Sequence, residues 1–508
     1  MTEPNLPEPS SRSATSYDEV PYESFPLRQT HPDRLAALSV LLGLEAPQIA
    51  GSRVLELGCA SGGNLLPIAV AYPKAQFVGV DLSSVQIAQG QAVVDACGMS
   101  NVRLLAMSVG DIDESFGKFD YIIAHGLYSR VPSAMQHAIL EVCSRNLSDH
   151  GVAYVSYNTL PGWHMHGMIR DLMRFHAMGF PDAGKRVQQA RAMLDFLAQT
   201  VPKDNNPYGL LLQNDLELLR KLPDYYILHE HLEDTNEPLY FHQFIERAQL
   251  HGLQYLAESE FATMLASGFA PQVAETVRRV APDVIRQEQL MDFLRNRSFR
   301  QTLMVHAARR IERHITPDRV QLLWVAGLTH PHRKVPDLRL GAIEKFSTSN
   351  GATITTSNSI TKAALVVLAE RWPQSLSFSD LLSAAHNRIH ALAAQGPAAQ
   401  DKQTLANDLL QGYANGLVEL HSAAAPFGSR AGERPIASLL ARWQAQAGRP
   451  VTNLRHEVLH PTPALRSLLP LLDGTRTREA ILASTAGVDA AQLEEALAEV
   501  ARCAVLVG

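Results

Sequence analysis

From Arg53 to Asn158 short apolar runs alternate with longer stretches of helical spacing. RVLELG (53–58), QFVGVDLS (76–83), VRLLAMS (102–108), FDYIIAHG (119–126) and GVAYVSYN (151–158) read as buried strands. Between them NLLPIAVAYP (64–73) reads as a helix ended by Pro73. SSVQIAQGQAVVDACG (83–98) reads as a helix with a Ser cap and a Gly stop, and AMQHAILEVCSRNL (134–147) as a third. Strands alternating with helices predict βαβ units and a parallel sheet covered on both faces. Right-handed crossovers make that sheet doubly wound, an α/β, Rossmann-like core.

After Trp163 the alternation stops. MHGMIRDLMRFHAM (165–178) has the spacing of an amphipathic helix, with Met165, Met168, Ile169, Leu172 and Phe175 on one face. Two more helical stretches, 185–201 and 210–222, complete a helical insertion over 164–222. Alternation resumes with a helix at 241–252 and a strand at 253–259, so the core is expected to span 17–262. Because the insertion leaves the sheet at a strand's carboxyl end, where open α/β sheets bind ligands, its helices are expected to form a lid. Residues 1–16 are rich in Pro, Ser and Glu and read as disordered. Beyond the core the pattern predicts a helical middle region (263–345), with a basic stretch at 292–315, then a winged-helix-like helical unit (346–421). A Gly/Pro/Ala linker (422–435) and a second winged-helix-like unit (436–508) follow.

With 46% hydrophobic and 19% charged residues the chain can build real cores. Its net charge of −6 argues against a broad nucleic-acid footprint. From Arg455 onward the terminal unit's arginines, Arg455, Arg466, Arg476, Arg478 and Arg502, are outnumbered by acids, which favours protein contacts there. The four cysteines lie far apart without a CxxC pair and read as reduced thiols. The polar N-terminus lacks an apolar leader core, and no run reaches the ~18–20 residues of a membrane span. A cytoplasmic protein with no membrane span is expected.

ELGCASGG (56–63) follows the first strand and opens a helix, with Gly58, Gly62 and Gly63 freeing the backbone to approach a ligand. Its spacing is neither that of a dinucleotide fingerprint nor that of a P-loop. The E-x-G-x-x-x-G form resembles the first motif of S-adenosylmethionine-dependent methyltransferases. Asp81 ends the second strand, where a carboxylate can accept hydrogen bonds from both ribose hydroxyls. Glu56 is expected to meet backbone amides or the methionine ammonium rather than to act as a base. Asp111, after the third strand, sits where such enzymes contact the adenine amine.

Longer stretches extend the likeness: YDEVPYES (17–24), QTHPDRLAAL (29–38), VLELGCASGGNLLPIA (54–69), GVDLS (79–83), FDYIIAHGLYSRVP (119–132) and SYNTLPGW (156–163). So do LHEHLEDTNEPLYFHQFIERAQLHGLQYLAE (228–258) and DFLRNRSFRQTL (292–303). Together they resemble the bacterial methyltransferases that carry a methyltransferase regulatory domain, a family that includes outer-membrane-protein lysine methyltransferases. The resemblance implies S-adenosylmethionine as cofactor, a protein substrate, a homodimer and a regulatory domain, expected in the helical middle region (263–345). It carries Gly58, Gly62, Asp81 and Asp111 over as cofactor residues, and suggests that Tyr17 and Tyr22 fold over the cofactor. One departure is Arg130, where the family commonly shows Trp.

The acceptor is expected to be an amine, foremost a lysine side chain. Lysine's unperturbed pKa of about 10.4 makes its neutral form cost about 4.6 kcal/mol at pH 7. An aromatic, uncharged pocket lowers that cost, and a phenol or carbonyl oxygen can orient the amine. Tyr128 and Tyr157 are the candidates for wall and orienting oxygen, with His125 and Asn158 as polar partners. Trp163 is expected to anchor the lid. His164, His166 and the HEH run at 229–231 show no recognised metal spacing, so no metal is expected. Two other readings fit the same residues: a methyltransferase for a small nitrogen or oxygen acceptor, and a cofactor-binding regulatory module without turnover.

Overall fold

Seven strands form one sheet in the order β3-β2-β1-β4-β5-β7-β6. They are β1 (Arg53–Leu57), β2 (Gln76–Asp81), β3 (Val102–Ala106), β4 (Phe119–Ala124), β5 (Leu147–Asn158), β6 (Leu253–Glu258) and β7 (Phe299–His306). The computed structural model describes residues 16–390, 398–485 and 487–507. The disordered reading of 1–16 therefore falls, Ser16 aside, outside the described residues. Neighbours among β1–β5 are parallel, and β7 runs antiparallel between β5 and β6. Both faces are covered, and β5 shows why: Val152 and Tyr154 enter one hydrophobic cluster, while Ala153, Val155 and Tyr157 enter the other. Strand order reverses between β1 and β4, which places a ligand crevice at the carboxyl ends of the strands.

Four expectations need correction. The sheet does not close at 262, because β7 lies inside the stretch read as a basic helical segment. The helix Val284–Arg295 stops at Asn296, whose left-handed backbone (φ 49°) caps it, and β7 begins three residues later. Arg300 obscures the strand, since an arginine is a poor sign of a core position. It is fully buried, donating to Glu258 Oε1 (2.9 Å), Glu288 Oε2 (3.0 Å) and Asp292 Oδ2 (2.8 Å).

The region after β7 is not simply helical either. The short strand Trp324–Ala326 pairs with Leu376–Ser377 and with Glu419–His421, tying residues before 345 into the next unit. The segment 422–435 is no free linker: Phe427 is buried and Ser422 bonds to Asp33. In the lid, the helix Trp163–Ala177 buries Ile169, Met173 and Ala177 against the helices Ala183–Thr200 and Pro207–Leu219. Met165, Met168 and Phe175 instead face outward. The terminal unit has its own core around the helices Leu439–Gln446 and Ala490–Arg502, with a hairpin of Val451–Thr452 and Val458–Leu459. No described helix is long and apolar enough to cross a membrane.

Candidate active site

A cavity of about 810 Å³ opens at the carboxyl ends of β1 to β5. Its first wall is the turn after β1. Gly58 (φ 73°) and Ala60 (φ 49°) hold left-handed backbone there, which lets the chain curl back beneath the cavity. The turn is fastened by Asp81 at the end of β2. Its Oδ2 accepts the Ala60 N–H (2.8 Å) and its Oδ1 accepts the Ser83 N–H (2.9 Å). Burial raises the Asp81 pKa and these amide bonds pull it back.

Glu56, inside β1, is buried in the same wall. Its Oε1 accepts from Asn64 Nδ2 (2.7 Å), while its Oε2 is buried without a partner among the described residues. Burial pushes this carboxyl up to about 8.

The N-terminal arm closes over this wall. Tyr17 stacks on His229 with centroids 4.1 Å apart. Ser83 Oγ donates to Asp18 (2.6 Å), and Ser24 Oγ accepts the Gly63 N–H (2.8 Å). Gly63 must be glycine: a Cβ there would lie 2.2 Å from the Ser24 carbonyl oxygen.

The far wall belongs to β4, β5 and the lid. His125 follows β4 and bonds through Nδ1 with the Tyr154 hydroxyl (2.9 Å). Burial, with Arg130 nearby, lowers its pKa to about 4, so it is neutral. Asn158 ends β5 and donates to Asn236 Oδ1 (2.8 Å). From the lid come Trp163, His166 and Asp215, and from the stretch after it Tyr226, Glu230 and His231. The last two ride on a π-helical turn, Leu228–Leu232. Arg130 pairs with Glu230 and lies 5.7 Å over the Tyr22 ring. His231 is also held neutral, its pKa lowered to about 4 by burial. Asp215 has one carboxylate oxygen near His166 (3.5 Å), and its Oδ2 is buried with no partner among the described residues.

Tyr17, Tyr22, Glu56, Gly58, Asp81, His125 and Asn158 therefore meet around one cavity. Four expected residues do not line it. Gly62 (φ 78°) shapes the turn from beneath, with room for a Cβ only 3.0 Å from Leu66. Asp111 is exposed, and Met107, Ser108 and Val109 form that part of the wall instead. Tyr128 packs edge-on against Phe244 in the core. Tyr157 stacks on Phe244 at 4.1 Å, on the opposite face of β5 from Asn158. Asp215, Tyr226 and Glu230 escaped the sequence reading. Glu230 lies in the HEH run, which in the sequence reads as a stretch of family likeness and is weighed as a metal motif, but not as a site wall; among the described residues no three potential ligands gather as a metal site.

Three family models match the chain: "Methyltransferase domain" over 54–151, "Predicted methyltransferase regulatory domain" over 223–306, and "PKMT, C-terminal winged helix domain" over 433–501. The uncharacterised protein RP789 of Rickettsia prowazekii is 38% identical over 482 residues, covering 93% of this chain and 85% of its own. The structure of PKMT2 from Rickettsia typhi in complex with AdoHcy superposes with a TM-score of 0.84 at 31% identity, covering 96% of this chain and 100% of that one. The chain belongs to the S-adenosylmethionine-dependent methyltransferases with a regulatory domain. A second Rickettsia prowazekii protein, RP028, is 44% identical over 234 residues, 46% of this chain and 94% of its own. In this methyltransferase the regulatory match includes the π-helical turn, β6 and β7. That segment thus supplies two strands of the catalytic sheet and part of the cavity wall, rather than a separate region after 262.

Proposed function

We propose that the enzyme methylates a lysine side-chain amine of a protein substrate. When bound, S-adenosylmethionine supplies a methyl group already activated by its sulfonium. The residues present suit that cofactor. Asp81 would accept the ribose hydroxyls, and Glu56 Oε2, without a partner among the described residues, would accept the α-ammonium. Gly58 lets the backbone come close, and Tyr17 and Tyr22 cover the site from the arm.

The observation that carries the amine reading is Asp215. A buried carboxylate oxygen without a partner is costly, and it is stabilised by a cation that reaches it. Trp163, Tyr226 and the neutral His231 share the cavity wall with it and suit an alkylammonium stem. Asp215 attracts and aligns the amine. Loss of water favours its neutral, nucleophilic form, against the pull of Asp215 for the ammonium. Neutral His125 and Asn158 complete the polar wall. The remaining work is alignment and exclusion of water.

The test is incubation with methyl-labelled S-adenosylmethionine and fractionated bacterial lysate, followed by acid hydrolysis. Labelled methyllysine from protein fractions is expected. Label confined to low-mass material would replace the protein substrate with a small acceptor.

A further inference from the structure

Asn64, which holds Glu56, is itself held from the far end of the chain. Its Nδ2 donates to Glu56 Oε1 (2.7 Å) and Thr30 Oγ1 (3.0 Å), so its Oδ1 is the accepting side. That oxygen takes the Leu27 N–H (2.8 Å) and stands 2.7 Å from His456 Nε2. An amide oxygen only accepts, so the His456 Nε2 proton is donated to it; the Leu27 N–H, 3.2 Å from the same nitrogen, is spent on the nearer Asn64 Oδ1. His456 belongs to the terminal unit, 392 residues away in sequence.

The placement of His456 is built. It sits at the tip of the hairpin Val451–Thr452/Val458–Leu459 with a left-handed backbone (φ 63°), uncommon for a residue with a side chain. The Asn453 side chain ties the tip by accepting the Arg455 N–H (3.0 Å) and the Glu457 N–H (2.9 Å). Arg455 lies 4.0 Å over the Trp372 ring and pairs with Glu419, which also pairs with Arg28. His456 is 3% exposed and meets the His31 ring edge-on at 5.5 Å.

We infer that the terminal winged-helix unit supplies a positioning residue to the cofactor site: His456 fixes the Asn64 amide, and Asn64 fixes Glu56 so that Oε2 faces the cofactor's α-ammonium. The inference rests on the reading of Glu56 proposed above. The unit then acts as part of the cofactor pocket's frame, and its hairpin is occupied by the enzyme's own core. Without the His456 donor, Asn64 Oδ1 keeps only the Leu27 N–H and the more distant Thr30 hydroxyl (3.2 Å), and the amide's hold on Glu56 loosens.

Titration calorimetry of the full-length chain with S-adenosylhomocysteine tests this. His456→Ala should weaken binding about tenfold, and Asn64→Ala at least as much. The double variant should be no weaker than Asn64→Ala alone, since both changes break one chain of contacts. His456→Gln, which keeps a donor at the same reach, should restore affinity to within about twofold of the parent. A fall shared equally by His456→Gln, or full additivity in the double variant, would reduce His456 to general packing and overturn the relay. Glu56→Gln separates the two readings. If it loses affinity while His456→Ala does not, the relay fails and Glu56 stands. If Glu56→Gln binds like the parent, the role of Glu56 falls and takes the relay with it.

Discussion

The cofactor half of the cavity is centred on one continuous stretch, the ends of β1 and β2 and the turn between β1 and its helix, with the arm closed over it. The acceptor half is assembled from side chains of the ends of β4 and β5, the lid and the regulatory segment. Backbone amides hold Asp81 in place, so its position is fixed wherever the turn forms. In the second half Arg130, Asp215, Trp163 and Glu230 meet only once the lid helices have packed. A site made by a turn is set by local conformation, and a site made by a lid depends on long-range packing. The two halves should therefore separate under mutation.

The largest effect is expected at Asp81. Asp81→Ala removes the group proposed for the ribose and unties the Ala60 and Ser83 amides. Affinity for S-adenosylhomocysteine should fall about 100-fold, on the scale of two charge-assisted hydrogen bonds. Calorimetry that shows a change within twofold would remove Asp81 from the cofactor half.

Asp215→Asn comes next and tests the boundary directly. It should lower kcat/KM for the acceptor by about 10- to 100-fold, the loss of one buried charge contact, with cofactor affinity within about twofold. Equal losses in both would mean that the halves act as one unit.

A smaller, pH-dependent effect belongs to Glu56. Its carboxyl lies at about 8 in the free protein, above its ordinary 4.5. Over that interval the folded state keeps a proton that the unfolded state releases, so its contribution to stability falls as pH rises from 4.5 to about 8. An α-ammonium favours the ionised form, so binding below about pH 8 must expel the proton. Cofactor affinity should climb from pH 6 to 8, by about tenfold per unit at most. Calorimetry at pH 7 in buffers of different ionisation enthalpy should register proton release. Glu56→Gln should flatten the climb; an unchanged slope would assign the titration elsewhere.

The same contrast explains what was legible in the sequence. ELGCASGG and GVDLS gave Glu56, Gly58 and Asp81 because a glycine turn between a strand and a helix points to a crevice before any packing is known. β1 to β5 were readable as apolar runs, whereas β7 was hidden by Arg300, whose burial depends on three carboxylates brought from β6 and the helix before it. The lid's outward Met165, Met168 and Phe175 were misread because helical spacing shows that an apolar stripe exists, not which stripe finds a partner. Asp111 fails on a similar count: it lies exposed two residues beyond Val109, the last cavity-lining position in the turn after β3.

Tyr157 gives the smallest and sharpest contrast. Adjacent strand residues face opposite sides, so Tyr157 and Asn158 could never both reach the cavity. Tyr154, Ser156 and Asn158 share the face that holds His125 and the cavity wall, with Ser156 Oγ accepting the Gly126 N–H (2.7 Å). Tyr157 faces Phe244, and its hydroxyl lies 3.2 Å from Thr302 Oγ1. Thr302 spends its own proton on Glu258 Oε1 (2.7 Å), so Tyr157 must donate. Tyr157→Phe should therefore cost about 1 kcal/mol in denaturant unfolding, the value of one buried hydrogen bond, while turnover and cofactor affinity hold within about twofold. A loss of turnover with stability intact would return the phenol to the chemistry and require β5 to present its other face to the acceptor.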